Sequence, residues 1–439
     1  MHSLLPRQQF AQRRNALMQW MGSDSVAILP AAPQYIRNRD ADYRYRQDSD
    51  FYYLSGFAEP EAVLCIIPNR PLGEFVLFCR ERDKERELWD GYRAGLEGAI
   101  ELYGADESYP ISKLDEIMPT LMEGKKKLYV NLGGQAEFDN KVIHWLNSIR
   151  AKARQGAKAP AELLMLNHLL HELRLYKSAE ELGVMRKVAT ISANAHIKAM
   201  QKAQAGLYEY ELEAELIYEF MRHGCVAPAY NTIVGSGHNA CILHYVENRR
   251  QMQKGELVLI DAGAELDHYA ADITRTFPVS GRFSGEQKAV YEIVLEAQLA
   301  AIDAVHPDNH WDKPHTVAVE ILTQGLLDLG LLQGSLSENL EKELYREFYM
   351  HRTGHWLGMD VHDVGDYKLA DEWRQLEAGM VLTIEPGLYI APDNERVSAK
   401  WRGIGIRIED DVLVTKTGHE VLTDAAPKSV IDIEQLMKG

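Results

Sequence analysis

Short apolar runs bounded by turn residues mark the first part of the chain as a mixture of strands and helices. The runs at residues 61–67, 74–79 and 127–132 predict buried strands, and the first two are joined by a turn rich in Pro and Gly. Leucine spacing predicts a helix over residues 161–174. Residues 1–21 also predict a helix, because no long apolar run of a signal peptide follows their charges.

The pattern changes after this region, and the change predicts a domain boundary. Ser178 and Glu181 form a capping box, which opens a long helix that continues to about Lys202. We therefore predict an N-terminal α/β domain at 1–175 and a second domain at 176–439.

In the second domain, apolar strands end on carboxylic acids. The segments 256–261, 380–385 and 403–409 each show this pattern, and helices are predicted between them at 285–305 and 316–329. Strands and helices in this order predict the α+β fold class.

Composition and charge narrow the function classes. The chain has 439 residues with 46% apolar residues, and 65 acids against 48 bases give a net charge of −17. A nucleic-acid-binding protein usually has a basic face, so that class is disfavoured. We expect most of the acids to lie on a solvated surface.

The location of the protein can also be predicted from sequence. No apolar stretch approaches the roughly 20 residues that span a bilayer, so we expect no membrane partner. The four cysteines form no zinc-binding spacing and are too few for a disulfide scaffold. Together these features predict a cytoplasmic protein.

Two acids are candidates for a shared cation site. Asp261 ends the apolar run at residues 257–260, and Asp272 follows eleven residues later. A hairpin centred between Leu266 and Asp267 would make the two carboxylates direct cross-strand neighbours, and a divalent cation would relieve their repulsion. The alternative, that Asp272 caps a turn or pairs with Arg275, is equally compatible with these two acids alone.

Two further acids lie at strand ends. In the alternating strand 404–409, Arg407 and Glu409 share one face, which for a strand in isolation favours a surface salt bridge. Glu385 shifts the balance towards a buried site, because it closes an apolar strand immediately before Pro386 and Gly387.

Histidines complete the candidate set. His351, His355 and His362 fall within one Gly-containing segment, whereas His244 by itself favours a structural role. Carboxylates with one imidazole suit Mn, Co, Fe or Zn, and four carboxylates exceed what one catalytic ion requires. We therefore predict two bridged ions, which would lower the pKa of a bridging water and polarise a carbonyl oxygen. The candidate ligands are Asp261, Asp272, Glu385 and Glu409 with one of these histidines.

These residues resemble a known family. The segment 351–363 is similar to the signature of the proline-peptidase group of pita-bread metallopeptidases, which comprises aminopeptidase P and prolidase. The group's five metal ligands are matched, in order and approximate spacing, by Asp261, Asp272, His355, Glu385 and Glu409. Residues 45–61 resemble the group's N-terminal domain, and residues 231–245 are most similar to its aminopeptidase P branch. The resemblance covers nearly the whole chain.

The resemblance implies a pita-bread catalytic domain behind a smaller α/β domain. It also implies two divalent metal ions, usually manganese. One ion would be held by Asp261, Asp272 and Glu409, and the other by Asp272, His355, Glu385 and Glu409. The implied reaction is removal of the N-terminal residue from peptides with proline in second position.

The resemblance also implies roles for the remaining site residues. Glu385 would carry the proton to the leaving proline nitrogen. His244, His351 and His362 would orient the substrate and stabilise the tetrahedral intermediate.

Further implied roles concern supporting and neighbouring residues. Arg407 would support the metal carboxylates, with Asp40 or Tyr230 beside it, and Tyr230 would line the substrate site. A homo-oligomer, a dimer or a tetramer, is expected, in which Trp89 would cap a neighbouring chain's site.

Three alternatives stay open at this point. A prolidase, which cuts only dipeptides, would have the same ligands and histidines. A metal-free relative such as creatinase would lose the carboxylate ligands, all of which are present here. A non-catalytic binding module would require a degraded site.

Overall fold

The computed structural model describes residues 3–438 and divides into two compact units, one ending at Leu173 and the other beginning at Arg174. The domain boundary drawn from sequence after residue 175 stays a prediction. None of the helices within residues 3–438 is long and apolar enough to cross a membrane.

The first unit is built on one six-stranded mixed sheet with the order β6-β5-β4-β1-β7-β8. The strands of this sheet are β1 (Ser25–Pro30), β4 (Val63–Ile66), β5 (Phe75–Cys79), β6 (Glu107–Pro110), β7 (Lys127–Val130) and β8 (Glu162–Leu164). Two further strands of the unit, β2 (Ile36–Asn38) and β3 (Ala41–Asp42), pair with each other in a separate sheet. The helices of the unit are α1 (Arg7–Met21), α2 (Ser49–Ser55), α3 (Lys84–Asp90), α4 (Gly95–Glu101), α5 (Leu114–Met122) and α6 (Ala136–Ala151). The division between the units falls inside α7 (Asn167–Leu175).

The apolar runs predicted as strands form the centre of this sheet. Val26, Val63 and Val76 from three adjacent strands pack in one core with Trp145, which is fully buried on α6. The strand predictions are therefore confirmed at β4, β5 and β7. The helix predicted over 161–174 is wrong in its first third, because residues 162–164 pair in parallel with β7 as an edge strand.

The second unit combines long helices with several small antiparallel sheets. Its helices are α8 (Ala179–Lys202), α9 (Glu209–Arg222), α10 (Gly285–Asp303), α11 (Lys313–Asp328), α12 (Leu336–Glu341) and α13 (Val430–Leu436). Its strands are β9 (Ala227–Pro228), β10 (Ile233–Ser236), β11 (Leu257–Asp261), β12 (Ala264–Leu266), β13 (Tyr269–Ala270), β14 (Thr274–Pro278), β15 (Lys368–Leu369), β16 (Glu372–Trp373), β17 (Val381–Ile384), β18 (Gly387–Tyr389), β19 (Gly405–Arg407), β20 (Asp410–Thr415) and β21 (Gly418–Val421).

Local sequence determines where the long helices begin. Ser178 and Glu181 form the predicted capping box at the start of α8, and Ser284 with Gln287 forms another at α10. Each box pairs two of the backbone N–H groups that a helix start would otherwise leave without partners. The α+β class and the predicted long helices are thus confirmed.

The strands that end on acids are placed side by side by their pairing. Strand β11 lies between β10 and β14, strand β17 pairs with β20, and β18 pairs with β19. All these pairs are antiparallel. The ends of β11, β17 and β19 therefore bring their polar residues towards one cleft.

Candidate metal centre

The five predicted ligands line one cleft of the second unit, with a cavity volume of about 610 Å³. The cleft also contains the predicted substrate-binding histidines, an arginine and a tyrosine. These residues are Asp261, Asp272, His355, Glu385 and Glu409, with His244, His351, His362, Arg407 and Tyr230. The ligand atoms of Asp272, His355 and Glu409 lie within 4.8 Å of one another.

Asp261 and Asp272 converge, but in a different register from the predicted one. The hairpin turns at Asp267 and His268, which both have positive φ, as type I′ turns require. Asp261 therefore lies opposite Thr274, and the predicted direct pairing of the two acids is wrong. The two carboxylates meet as diagonal neighbours, because the turn is centred one residue later than predicted.

The Tyr230 hydroxyl bridges these two acids. Its oxygen lies 2.6 Å from Asp261 Oδ1 and 2.5 Å from Asp272 Oδ1. A hydroxyl carries one proton and cannot satisfy two ionised carboxylates. Burial raises the pKa of Asp261, and the nearby Asp272 charge adds to that rise against the opposing effect of Arg407. A further positive charge beside the pair would stabilise both carboxylates in their ionised form.

His355 faces the same acids from a segment that approaches β17 closely. At Gly354, a Cβ would lie 1.9 Å from the Thr383 oxygen, so only glycine fits there. His355 Nδ1 donates to the Trp356 carbonyl at 2.9 Å, which leaves Nε2 facing Asp272 Oδ2 at 3.4 Å. Burial lowers the pKa of His355, but the hydrogen bond to Asp272 and nearby acidic charges raise it overall to about 9.

Glu385 is half-buried and Glu409 is buried, and the pKa values of both carboxyls are raised. Burial raises the pKa of Glu385 to about 7, with Asp272 and Asp261 adding to the rise against the opposing charges of His355 and Arg407. Burial, and then Asp272 and Glu385, raise the pKa of Glu409 well above its usual range. Such crowding of acids is costly unless cations compensate it.

The Arg407 side chain supports the candidate metal ligands through hydrogen bonds. Its guanidinium donates to Asp261 Oδ2 at 2.6 Å, to Thr274 Oγ1 at 3.0 Å and to the Tyr389 hydroxyl at 3.1 Å. Thr274 in turn donates to Glu409 Oε2 at 2.6 Å. One buried arginine is thus connected to ligands on both sides of the cluster.

The histidines around the cluster differ in the contacts that hold their rings. His351 has both ring nitrogens engaged, with Nδ1 at 2.7 Å from the Arg352 carbonyl and Nε2 at 2.9 Å from the Tyr389 hydroxyl. The His362 ring packs edge-on against His355 at a centroid distance of 4.3 Å. Burial, with Arg407 nearby, lowers the pKa of His351 to about 3, and burial also lowers that of His362, so both rings are neutral near pH 7.

Two predicted residues belong to the first unit. Trp89 lies on α3 and is 86% exposed, and Asp40 is exposed in the turn between β2 and β3. Their roles at the site stay predictions.

Three supporting residues escaped prediction. Thr274 and Tyr389 connect Arg407 to Glu409 and His351, and Asp411 accepts from the Asp272 backbone N–H with both oxygens at 3.2 Å. The spacing of Asp272 and Thr274, two residues apart, was an available signal, because alternate strand residues share a face. No local pattern singles out Tyr389 or Asp411.

Asp363 fixes the loop that carries His362, and its removal is expected to destabilise the fold. Its buried carboxylate accepts from Arg174 at 2.6 Å and from Lys177 at 3.0 Å. Asp363→Asn leaves the buried Lys177 without its carboxylate partner and Arg174 with Asp360, at 2.7 Å, as a remaining partner. This should cost about 3 kcal/mol of unfolding free energy at neutral pH. Urea unfolding measures this loss, and Asp371→Asn, on an exposed turn, is the control.

The loss should also depend on pH. Burial opposes ionisation of Asp363, but Lys177 and Arg174 lower its pKa overall. A lowered folded-state pKa gives stability that is present above the unfolded pKa, near 4, and is lost as pH falls through the folded value. The gap between the wild type and Asp363→Asn should therefore narrow below about pH 4. A gap that is constant with pH would contradict the ionic role.

Comparison with known proteins places the site in a family context. The model of metallopeptidase family M24 matches residues 183–416, and the model of the aminopeptidase P N-terminal domain matches residues 10–129. The chain is 46% identical to the Xaa-Pro aminopeptidase of Escherichia coli K12, over 99% of this chain and 98% of the relative.

Solved structures agree with these matches. The structure of Pseudomonas aeruginosa aminopeptidase PepP matches with a TM-score of 0.99 and 59% identity, covering 100% of this chain and 99% of that one. Zinc-substituted E. coli aminopeptidase P in complex with product matches with a TM-score of 0.96 and 46% identity, covering 99% of this chain and 98% of that one.

Proposed function

Because the chain belongs to metallopeptidase family M24, has that family's pita-bread catalytic domain and acts as an Xaa-Pro aminopeptidase, we propose that its cleft cuts the bond before proline with two divalent metal ions. The observation that carries this proposal is the convergence of four carboxylates and one imidazole, all buried or half-buried, in a single cleft. We assign the metals to Asp261, Asp272, His355, Glu385 and Glu409.

The donor set fits such ions. Carboxylate oxygens with one imidazole nitrogen suit divalent first-row metals. The Tyr230 hydroxyl cannot satisfy both Asp261 and Asp272, and Arg407 balances only part of the acidic charge. Two cations between these carboxylates would remove the repulsion that raises the pKa values of Glu385 and Glu409.

When bound, the metals would supply a water of lowered pKa as nucleophile and polarise the scissile carbonyl. The proton transfer falls to Glu385, whose carboxylate lines the cleft and can accept a proton from the nucleophile and release it. Thr383 Oγ1 lies 3.4 Å from Glu385 Oε1 and limits its movement. Glu385 delivers the proton to the proline nitrogen, which leaves as an amine.

The histidines of the cleft bind and orient the peptide. His362 and His244 have ring N–H groups available for the carbonyl oxygens of the substrate, and such donors stabilise charge that develops on an oxygen. His351 differs, because its Nδ1 donates to the Arg352 carbonyl and its Nε2 accepts from Tyr389. We therefore assign His351 to the wall that contacts the proline ring, and not to hydrogen bonding with the substrate.

A series of peptides of increasing length tests the proposed activity against the prolidase alternative, which the full-length matches do not favour. We expect cleavage of Arg-Pro-Pro and longer peptides, and slow or no cleavage when alanine replaces the proline. The assay is run with Mn and with Zn, and bound metal is counted in each case. Cleavage of Xaa-Pro dipeptides alone would refute the aminopeptidase assignment.

Replacing His244 should separate substrate binding from metal binding. His244→Ala is expected to lower kcat/KM by about 100-fold, the usual loss for one hydrogen-bond donor to a developing oxyanion, with both metals retained. Steady-state kinetics and metal analysis measure the two effects, with His306→Ala as a control outside the cleft. Loss of both metals in His244→Ala would contradict its role as a non-ligand.

Three further expectations concern the metal, the location and the oligomeric state of the protein. We propose manganese as the metal used in the cell, a cytoplasmic location, and a homotetramer. An exposed apolar patch supports the oligomer, since Leu88, Trp89 and Tyr92 are 85%, 86% and 90% exposed. Light scattering of the wild type and of Trp89→Ala tests the assembly. A monomeric wild type would refute it.

A further inference from the structure

The segment that carries His244 lacks regular structure. Leu243 and His244 lie in a turn, and residues 245–247 belong to no helix or strand. The side chains of Leu243 and Tyr245 pack on a small apolar cluster that includes Tyr389, while His244 between them lines the cleft and is exposed. Within residues 3–438, no hydrogen bond holds the His244 ring, so its position depends on how the backbone of residues 243–247 is held.

A single buried carboxylate accepts hydrogen bonds from residues before, within and after this segment. Glu209, the first residue of α9, is 0% exposed. Its Oε1 accepts from Ser236 N and Oγ at 2.7 Å each, and from Asn239 Nδ2 at 3.2 Å. Its Oε2 accepts from the Tyr245 hydroxyl at 2.8 Å and from the Arg250 backbone N–H at 2.9 Å.

We propose that Glu209 is a positioning residue for the reaction, because it fixes the place of His244 in the cleft. The donors before the segment bond to one oxygen, and those within and after it bond to the other. A carboxylate accepts on both oxygens, so it can hold both sides at once. The inference rests on the proposed role of His244 as a substrate-binding residue.

The matched change is Glu209→Gln, which preserves size and shape. Each oxygen of Glu209 faces at least one N–H group that can only donate, from Ser236 and Asn239 on one side and Arg250 on the other. The amide of Gln must therefore oppose one of these donors in either orientation. Tyr245→Phe is a milder second variant, since it removes one donor and keeps the packed ring.

The test is a double-mutant cycle with His244→Ala, measured as kcat/KM on Arg-Pro-Pro. Displacement of a positioned group commonly costs up to about 100-fold, and we expect at least a tenfold fall in Glu209→Gln and a smaller one in Tyr245→Phe. Two metals per chain should be retained. In the His244→Ala background, Glu209→Gln should cause no further loss, because the residue acts through His244. A full, multiplicative loss in the double variant would overturn the proposal.

A second measurement reports the His244 position without relying on turnover. The ring NMR signal of His244 in ¹³C-histidine-labelled protein, assigned by its absence in His244→Ala, should shift or broaden in Glu209→Gln. It should stay unchanged in Glu219→Gln, which alters another buried carboxylate of α9 that bonds Arg222 and His223 instead. An unchanged signal in Glu209→Gln would refute the positioning role. Normal turnover by His244→Ala would instead refute the proposed role of His244, while the signal still decides whether Glu209 positions it.

Discussion

Glu385→Ala is expected to abolish turnover of Arg-Pro-Pro, with a fall in kcat of at least about 1,000-fold. The substitution removes both a proposed metal ligand and the proposed proton carrier, since Glu385 lines the cleft with the other candidate ligands. Acid–base catalysis alone contributes roughly 100- to 10,000-fold, and loss of a metal ligand adds to it.

Kinetics and metal analysis together test this expectation. Glu395→Ala, which removes an exposed carboxyl from the loop after β18, is the matched control and should retain wild-type kcat. The metal content of Glu385→Ala indicates how much of the loss comes from the missing ligand. Turnover near the wild-type rate in Glu385→Ala would exclude its assignment as proton carrier.

Arg275→Ala is expected to lower the free energy of unfolding by about 4 kcal/mol, as loss of one partner of a buried ion pair usually does. Arg275 and Asp410 are both fully buried and joined at 2.7 Å. Arg275 also donates to the backbone carbonyls of Glu409 and Ala426, at 2.5 Å and 2.9 Å. Its removal leaves a buried carboxylate with Lys428 as its remaining cation.

Calorimetry measures this effect as a fall in Tm of roughly 10 °C for a unit of this size. The control is Arg186→Ala, which breaks an exposed bidentate pair with Glu420 at 2.7 Å. Exposed pairs contribute at most about 1 kcal/mol, so its Tm should change little. Equal shifts in the two variants would mean that burial does not determine the strength of the Arg275 pair.

The sequence by itself determined the features that depend on neighbouring residues. The starts of α8 and α10 follow from capping boxes of residues three positions apart, such as Ser178 and Glu181. The central strands of the first unit follow from apolar runs. The candidate ligands were found in the same way, because an acid that closes an apolar strand, such as Asp261 or Glu385, is unusual without a compensating charge.

Tertiary structure decided the geometry that connects these residues. Leu266 and Asp267 were predicted to centre the β12–β13 hairpin, but a type I′ turn at Asp267 and His268 moved the register, so Asp261 opposes Thr274. The supporting roles of Tyr389 and Asp411 depend on partners far along the chain. Such contacts are set by strand register and loop packing, and no local spacing in the sequence encodes them.

The candidate metal centre shows most clearly which features the sequence determined and which depended on the tertiary structure. The sequence named its five candidate ligands, because their order and approximate spacing resemble those of the proline-peptidase group. Only the folded chain places the Tyr230 hydroxyl between two acids, engages both nitrogens of His351, and holds the segment of His244 through Glu209. The physical reason is that residue chemistry is local, whereas the direction and freedom of each side chain depend on what the rest of the fold packs against it.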